Sequence, residues 1–486
     1  MRLGDLVGIV SDSEPTGLVG AEGQIVTGFA LDHRQVAAGN VFGAFRGSRV
    51  NGEEFIAEAV ARGAVAIVAR PEAPVAGAVH LAEAEPRKKF AELAARFFAP
   101  FPEIVVAVTG TNGKTSTVEM TRQLWRMAGH RSASVGTLGV TTADDQVKTG
   151  LTSPDIVTFL SNMAGMKRMG ISHVAYEASS HGLDQYRAEG VPVSAAAFTN
   201  LSRDHLDYHA GMDDYFAAKM RLFDEVVAAD GTAVVWTGDA RSDEVVERAG
   251  RRGLKVLTVG KDAGTIALVS RQSTPLGQQL ILRHAGSEHK LMLPLIGAYQ
   301  VANVLVASGL VLATGGDWAE TLAGLARLSP VRGRLERAVI TRAGAPVYVD
   351  YAHTPDAIEA AIEALRPHVG NGSGGRLIVV LGAGGDRDAG KRGEMGAAAA
   401  RLGDLVIVTD DNPRGEDPAA IRRAVIQGAP DATEIADRRE AIAAAIAMAS
   451  GGDIVLLAGK GHEQGQIVGD QVLPFDDVEV ARECAA

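Results

Sequence analysis

One short stretch constrains this chain more than any other. Ile104-Val105-Val106-Ala107-Val108 is a near-continuous apolar run rich in β-branched residues. Gly110-Thr111-Asn112-Gly113-Lys114-Thr115 follows it, and a helical pattern runs from about Thr115 to Ala128. A run of that kind reads as a parallel strand covered on both faces, so the chain around it has to alternate strands and helices. The glycines let the backbone turn tightly and approach an anion, while backbone N–H groups and the helix N-terminus supply positive potential. Lys114 can reach the β- and γ-phosphates of a nucleotide, and the Thr115 hydroxyl can ligate Mg²⁺. The spacing departs from G-x-x-x-x-G-K-[ST], because Val108 stands where that pattern has its first glycine. A turn that merely contains Gly-Lys-Thr is the competing reading. The order strand, loop, helix favours a phosphate loop.

The chain has 486 residues, enough for about three domains. The expected division is 1–99, 100–330 and 331–486. The first boundary falls at Ala99-Pro100-Phe101-Pro102, and the second in Leu328 to Arg334, which contains Pro330 and Gly333. Val65 to Ala69, His173 to Glu177, Ala195 to Phe198, Ala233 to Trp236 and Lys255 to Val259 read as strands. So do Val347 to Val349, Leu377 to Leu381, Leu405 to Thr409 and Ile454 to Leu457. Glu53 to Arg62 reads as a helix. Leu291 to Gly316 is long and uncharged, but Pro294, Gln300 and Asn303 interrupt it. It is expected to be a buried core helix rather than a membrane span. The net charge of −11 argues against nucleic-acid binding through a diffuse basic surface. The single cysteine, Cys484, cannot form an internal disulfide, which fits a reducing compartment. No signal-peptide pattern opens the chain, and a cytoplasmic location is expected.

Further segments carry a family resemblance. The loop Gly110 to Thr115 resembles that of the Mur ligases and folylpolyglutamate synthases. Glu177-Ala178-Ser179-Ser180-His181-Gly182-Leu183-Asp184-Gln185-Tyr186-Arg187 is similar to a substrate loop of the Mur ligases. Thr199-Asn200-Leu201-Ser202-Arg203-Asp204-His205 and the residues to His209 resemble their metal-site segment. Asp350-Tyr351-Ala352-His353-Thr354-Pro355-Asp356 resembles their ATP-contacting segment. Gly385-Asp386-Arg387-Asp388, Asp411-Asn412-Pro413-Arg414 and Gly459-Lys460-Gly461-His462-Glu463 resemble their amino-acid site. These segments fall in one order over essentially the whole chain.

The resemblance implies an α/β protein with an N-terminal uridine-nucleotide-binding domain, a central phosphate-loop ATPase domain and a C-terminal Rossmann-like domain. It implies a ligase that spends ATP, with Mg²⁺, to add meso-2,6-diaminopimelate to the D-glutamate of UDP-N-acetylmuramoyl-L-alanyl-D-glutamate through an acyl phosphate, in peptidoglycan precursor synthesis. The partners are then small molecules only, and a monomer is expected. Lys114, Glu177, His205 and Lys219 would be catalytic. Gly110, Thr111, Asn112, Gly113, Lys114, Thr115, Ser116, Asn303, Arg334 and Asp350 would contact ATP. Thr115, Glu177, His205 and Lys219 would hold the metal ions, with Lys219 as the carbamate, N6-carboxylysine; a bare ammonium would be repelled by Mg²⁺, whereas a carbamate is an anionic oxygen ligand.

Leu31, His33, Ser48, Arg49 and Val50 would lie along the uridine nucleotide, and Thr152, Ser153, Ser179, Gln185 and Arg187 along the muramoyl peptide. His33 stands where the family usually has serine, and Asn51-Gly52-Glu53 replaces its usual Asp-Gly-His. His33 can equally be a loop histidine without a ligand role. Arg387, Asp411, Asn412, Pro413, Arg414, Gly459 and Glu463 would take the amino acid. Diaminopimelate differs from lysine by a second, distal carboxylate, which the Arg414 fork can pair bidentately. Gly382-Ala383-Gly384-Gly385 lacks the third glycine of a dinucleotide fingerprint, so NAD binding is not expected. Two alternatives remain at this stage: a related ligase acting on another acid–amine pair, and a non-catalytic nucleotide-dependent protein.

Overall fold

The computed structural model describes residues 1–8, 18–47, 50–142, 146–147, 153–206, 208–274, 277–370 and 374–486. In chain order, the strands and helices up to the phosphate loop are α1 (Leu3–Val7), β1 (Gly28–Ala30), β2 (Asn40–Gly43), α2 (Ile56–Ala61), β3 (Ala66–Ala69), β4 (Val79–Ala82), α3 (Pro86–Phe98) and β5 (Ile104–Thr109). Then come α4 (Lys114–Met127), β6 (Ser132–Gly136), β7 (Gly139–Thr141), β8 (Gln146–Val147), α5 (Ile156–Arg168), β9 (His173–Glu177), α6 (Ser180–Asp184), β10 (Val193–Phe198), α7 (Met212–Arg221) and β11 (Val227–Trp236). After α8 (Ser242–Arg251) and β12 (Lys255–Gly260) the strands β13 (Ile266–Thr274), β14 (Gly277–His284) and β15 (Ser287–Leu293) follow without a helix between them, and then α9 (Ala298–Ala313) and α10 (Trp318–Leu325).

These residues divide into two compact units. The first holds Met1–Thr109, His130–Ala196 and Ala218–Gly231; the second holds Gly110–Gly129, Ala197–Ala217 and Thr232–Ala486. The first unit contains a parallel sheet in the order β1-β2-β3-β4. Beyond it, β5 pairs in parallel with β9, and β9 with β6, before β7 and β8 turn antiparallel. Every residue of β9 is buried, and Val174, Ala175 and Tyr176 supply the apolar middle that a strand covered on both faces requires.

In the second unit, β11 pairs in parallel with β12 and β12 with β13, and β13-β14-β15 is an antiparallel meander. Its last part is a sheet in the order β16 (Glu336–Ile340), β17 (Pro346–Asp350), β21 (Ile454–Ala458), β18 (Leu377–Leu381), β19 (Leu405–Val408), β20 (Thr433–Glu434). Only β16 runs antiparallel in it. Helices α11 (Pro355–Leu365), α12 (Lys391–Leu402) and α13 (Pro418–Ile426) pack on one face, and α14 (Arg438–Met448) and α15 (Asp477–Ala485) on the other, each with its own apolar core. A hairpin of β22 (Gly465–Val468) and β23 (Gln471–Pro474) precedes α15.

The mixed α/β class with parallel sheets agrees with the sequence reading. The stretch Leu291 to Gly316 does not form a single helix. Leu291 to Leu293 end the edge strand β15, Pro294 to Gly297 form the connection, and α9 begins only at Ala298. Proline cannot donate within a helix, and Gly297 takes φ 98, so the chain turns there first. α9 itself is buried nearly all round, as its uncharged sequence requires. Among the described residues no helix is long and apolar enough to cross a membrane.

Candidate active site

The loop after β5 is held by the segment that begins at Thr199. Thr111 N donates to Asn200 O at 2.9 Å, Asn112 N to Asn200 Oδ1 at 2.8 Å, and Thr199 Oγ1 to Asn112 O at 2.7 Å. Gly110 takes φ 144 and Gly113 φ 87. A Cβ on Gly110 would collide with Thr199 Oγ1, and one on Gly113 with Asn303 Oδ1. Glycine is therefore required here for close approach as well as for backbone conformation. Lys114 Nζ donates to Gly110 O at 3.0 Å and to Thr111 O at 2.8 Å, curled over the loop it belongs to. Thr115 and Ser116 are buried in the first turn of α4.

Arg334 Nη2 donates to Thr115 Oγ1 at 2.9 Å, and its guanidinium lies 4.6 Å from the Tyr351 ring centroid. Arg334 Nε is buried without a hydrogen-bond partner among the described residues, so this cation has bonding capacity to spare beside the loop. A cleft of about 270 Å³ opens here. Its walls include Asn112, Gly113, Ser116, Asn303, Arg334 and Asp350, all expected for ATP, and Tyr351 of the same quoted segment as Asp350, together with Trp236, Asp239 and Tyr299, which the sequence reading did not assign. Asp350 ends β17. Its carboxylate accepts from Leu335 N at 2.7 Å, Ala352 N at 2.8 Å and Tyr299 OH at 3.4 Å. Burial pushes its pKa up, with Arg334 and those donors acting against the shift.

The four expected metal donors are divided between the units: Glu177 and Lys219 in the first, Thr115 and His205 in the second. Glu177 closes β9. Thr137 N donates to its Oε1 at 2.8 Å and Thr137 Oγ1 to its Oε2 at 3.1 Å. It does not cap the next helix; Ser179 does, accepting from Gly182 N. Lys219 lies on α7 with its side chain 1% exposed. His205 takes left-handed backbone at φ 55, with Asp204 Oδ2 3.6 Å from its Nε2. Asp204 also meets Lys391 Nζ at 3.3 Å and His353 Nε2 at 3.8 Å. Burial would raise its carboxyl pKa, but His353, His205 and Lys391 outweigh that and hold it well below the usual range.

Of the muramoyl-peptide residues, the first unit brings four together. Ser153 Oγ donates to Glu177 O at 3.2 Å and lies 3.0 Å from Ser179 Oγ. Arg187 donates to Ser153 O at 3.4 Å and to Gln185 Oε1 at 2.5 Å. Tyr186 between them has φ 55, and Arg221, at the end of α7, stacks 3.9 Å from its ring centroid. The same guanidinium donates to Leu183 O and Glu189 Oε1. Ser48, Arg49 and Thr152 lie outside the described residues. Leu31 is half-buried, and Val50 is 60% exposed. His33 stacks flat on Phe55 at 4.2 Å, with Nε2 3.4 Å from Glu58. Glu53, one of the departures from the family pattern, is buried in a fork with Arg70 at 2.7 and 2.9 Å.

The amino-acid residues follow the carboxyl ends of β18, β19 and β21, the edge where open α/β sheets bind ligands. Arg414 takes φ 50, and its Nη1 donates to Gly385 O at 2.9 Å. Asn412 Nδ2 donates to Glu463 Oε2 at 2.7 Å, while Ile467 N donates to Asn412 Oδ1 at 2.9 Å. Pro413 and Asp411 are buried beside them, and Arg387 is exposed, donating to Asp386 O. A Cβ on Gly459 would meet Asp411 Oδ2 at 2.5 Å. Lys460, quoted in the motif but given no role, is fully buried among these groups; its signal was a lysine between two glycines at the end of an apolar strand.

Two family descriptions match the chain: the Mur ligase middle domain over residues 108–311 and the Mur ligase glutamate ligase domain over 333–461. The chain belongs to the Mur ligase family. A Mur ligase of Zymomonas mobilis, UDP-N-acetylmuramoyl-L-alanyl-D-glutamate--2,6-diaminopimelate ligase, is 61% identical over 462 residues, 94% of each chain. A solved structure of a Mur ligase with that same description superposes with a TM-score of 0.72 at 31% identity, covering 100% of this chain and 98% of its own. Folylpolyglutamate synthase of Mycobacterium tuberculosis, solved with ADP, shares the fold at a TM-score of 0.64 and 22% identity, but covers only 77% of this Mur ligase.

Proposed function

We propose that this Mur ligase adds meso-2,6-diaminopimelate to the D-glutamate carboxylate of UDP-N-acetylmuramoyl-L-alanyl-D-glutamate, with ATP as co-substrate, in peptidoglycan precursor synthesis. The observation that carries the reading is the convergence, within one unit, of the loop Gly110 to Ser116, Arg334 and a cleft beside them, in a chain 61% identical to a ligase of that description. The domains are 1–99, 100–330 and 331–486, and the enzyme works as a cytoplasmic monomer.

The γ-phosphoryl of ATP passes to the carboxylate oxygen, giving an acyl phosphate and ADP. The diaminopimelate amine attacks the carbonyl carbon, the C–O bond to phosphate breaks, and an amide forms. The protein positions these groups and neutralises their charge. Lys114 exchanges its loop carbonyls for β/γ-phosphate oxygens. Arg334, tied to Thr115 and with Nε unpartnered among the described residues, meets phosphate charge. Thr152, Ser153, Ser179, Gln185 and Arg187 hold the muramoyl peptide; Leu31, His33, Ser48, Arg49 and Val50 hold the uridine end. Arg387, Asp411, Asn412, Pro413, Arg414, Gly459 and Glu463 hold diaminopimelate.

Thr115 and His205 of the second unit, and Glu177 and a carbamate on Lys219 of the first, would serve as ligands to two Mg²⁺ ions, which would supply charge neutralisation on the phosphates. These donors suit a hard cation that draws its remaining ligands from phosphate and water. Glu177 is suited to ligation because Thr137 gives each of its oxygens one hydrogen bond, which leaves lone pairs on both.

The test is phosphate release from ATP with the UDP-dipeptide and an amino acid. Release is expected with diaminopimelate and to be far slower with L-lysine. Arg414→Ala is expected to raise KM for diaminopimelate by about 100-fold and to narrow that preference, with little change in KM for ATP. Equal kcat/KM for the two amino acids in the unaltered enzyme would overturn the reading.

A further inference from the structure

The fold buries an ammonium where the proposed amino-acid site is built. Lys460 lies in the turn after β21, with its side chain 0% exposed. Gly459 at φ 114 and Gly461 at φ 56 flank it, and backbone of that kind lets the turn point the lysine inward. A lysine shut away from water must be met by acceptors. Its Nζ donates to Asn412 Oδ1 at 3.0 Å and to Glu463 Oε2 at 3.3 Å, and lies 3.7 Å from Asp411 Oδ1. All three belong to the proposed site.

The contacts have a directional consequence. Asn412 Oδ1 accepts from both Lys460 Nζ and Ile467 N, so its Nδ2 is turned towards Glu463 Oε2. Glu463 Oε2 takes both donors, and among the described residues no hydrogen bond engages Oε1. They also have a charge consequence. Two carboxylates and one ammonium leave a single negative charge. The distal end of diaminopimelate carries one ammonium and one carboxylate, and Arg414 supplies the positive counterpart.

We propose that Lys460 is a positioning residue for the amino-acid substrate: it cancels one carboxylate's charge and fixes Asn412 and Glu463, so that the site takes up a single ammonium beside the carboxylate held by Arg414. The proposal rests on the reading that Asp411 to Arg414, Gly459 and Glu463 bind the amino acid.

The test measures phosphate release by the full chain, with diaminopimelate varied and ATP and UDP-dipeptide saturating. The variants are Lys460→Met and Lys460→Met combined with Asp411→Asn, which restores the charge balance. Lys460→Met is expected to raise KM for diaminopimelate by roughly 10- to 100-fold, with KM for ATP moving less than about threefold. The double variant is expected to recover part of that loss, because neighbouring charges couple. A purely structural lysine would give no recovery. If Lys460→Met fails to fold, Lys460→Gln, which keeps a donor to Asn412 without the charge, carries the same comparison alone and with Asp411→Asn. An unchanged KM for diaminopimelate, an equal loss for ATP, or a double variant worse than the single would overturn the proposal. Failure of the unaltered enzyme to use diaminopimelate would overturn the functional reading and this proposal with it.

Discussion

Lys219 is one of the largest fully buried side chains in the molecule. The proposed carbamate would form by attack of its neutral amine on CO₂. Lys219→Ala is expected to lose most turnover, by roughly 100-fold or more, because charge stabilisation at the phosphoryl group is worth a few kcal/mol. Added short carboxylates are expected to restore part of it by occupying the vacated oxygen positions. Phosphate release with and without formate or acetate checks this, and an alanine variant with normal turnover would refute the carbamate. At this scale the sequence suggests a role most directly where chemistry narrows the residue type, as with Lys114, Thr115 and Arg414. It was least informative where the partner decides the role. Lys460 reads as a turn residue until Asn412 and Glu463 are seen around it. Thr137 reads as nothing until its two donors are found on Glu177.

At the scale of elements, α7 does two jobs. It carries Lys219, and two residues later Arg221 grips the loop that holds Gln185 and Arg187. One rigid helix therefore ties the proposed carbamate to the muramoyl-peptide contacts. Arg221→Ala is expected to raise KM for the UDP-dipeptide by roughly tenfold, through loss of the stacking on Tyr186 and the bonds to Leu183 and Glu189. KM for diaminopimelate should barely move, so comparing the two constants is the check. The buried parallel strands were the legible elements; β18 matches its expected limits because its uninterrupted apolar run has sharp ends, and β9 because His173 and Glu177 bound its apolar middle. The meander β13-β14-β15 was missed. β13 and β15 expose much of their length, so their sequences are polar and lack the continuous run. The start of α9 was misplaced because Leu291 to Leu293 are as apolar as the helix that follows.

At the scale of the molecule, the last part of the chain looks self-sufficient. Its six-stranded sheet is flanked by an apolar core on each face, and Arg438 and Asp477 form a fully buried ion pair within it. A fragment of residues 331–486 is expected to fold alone, with a single cooperative urea transition followed by circular dichroism; a gradual, non-cooperative loss of signal would count against it. The rest of the chain is interleaved between the two units. The first unit is finished only by Ala218–Gly231, and the second already begins at Gly110. During synthesis, then, a ribosome must deliver nearly half the polypeptide before the first unit has all its parts. Meanwhile the phosphate loop and the segment from Ala197 to Ala217 emerge early and wait for partners not yet made. Those waiting stretches are the part of the nascent chain most in need of shielding from other chains.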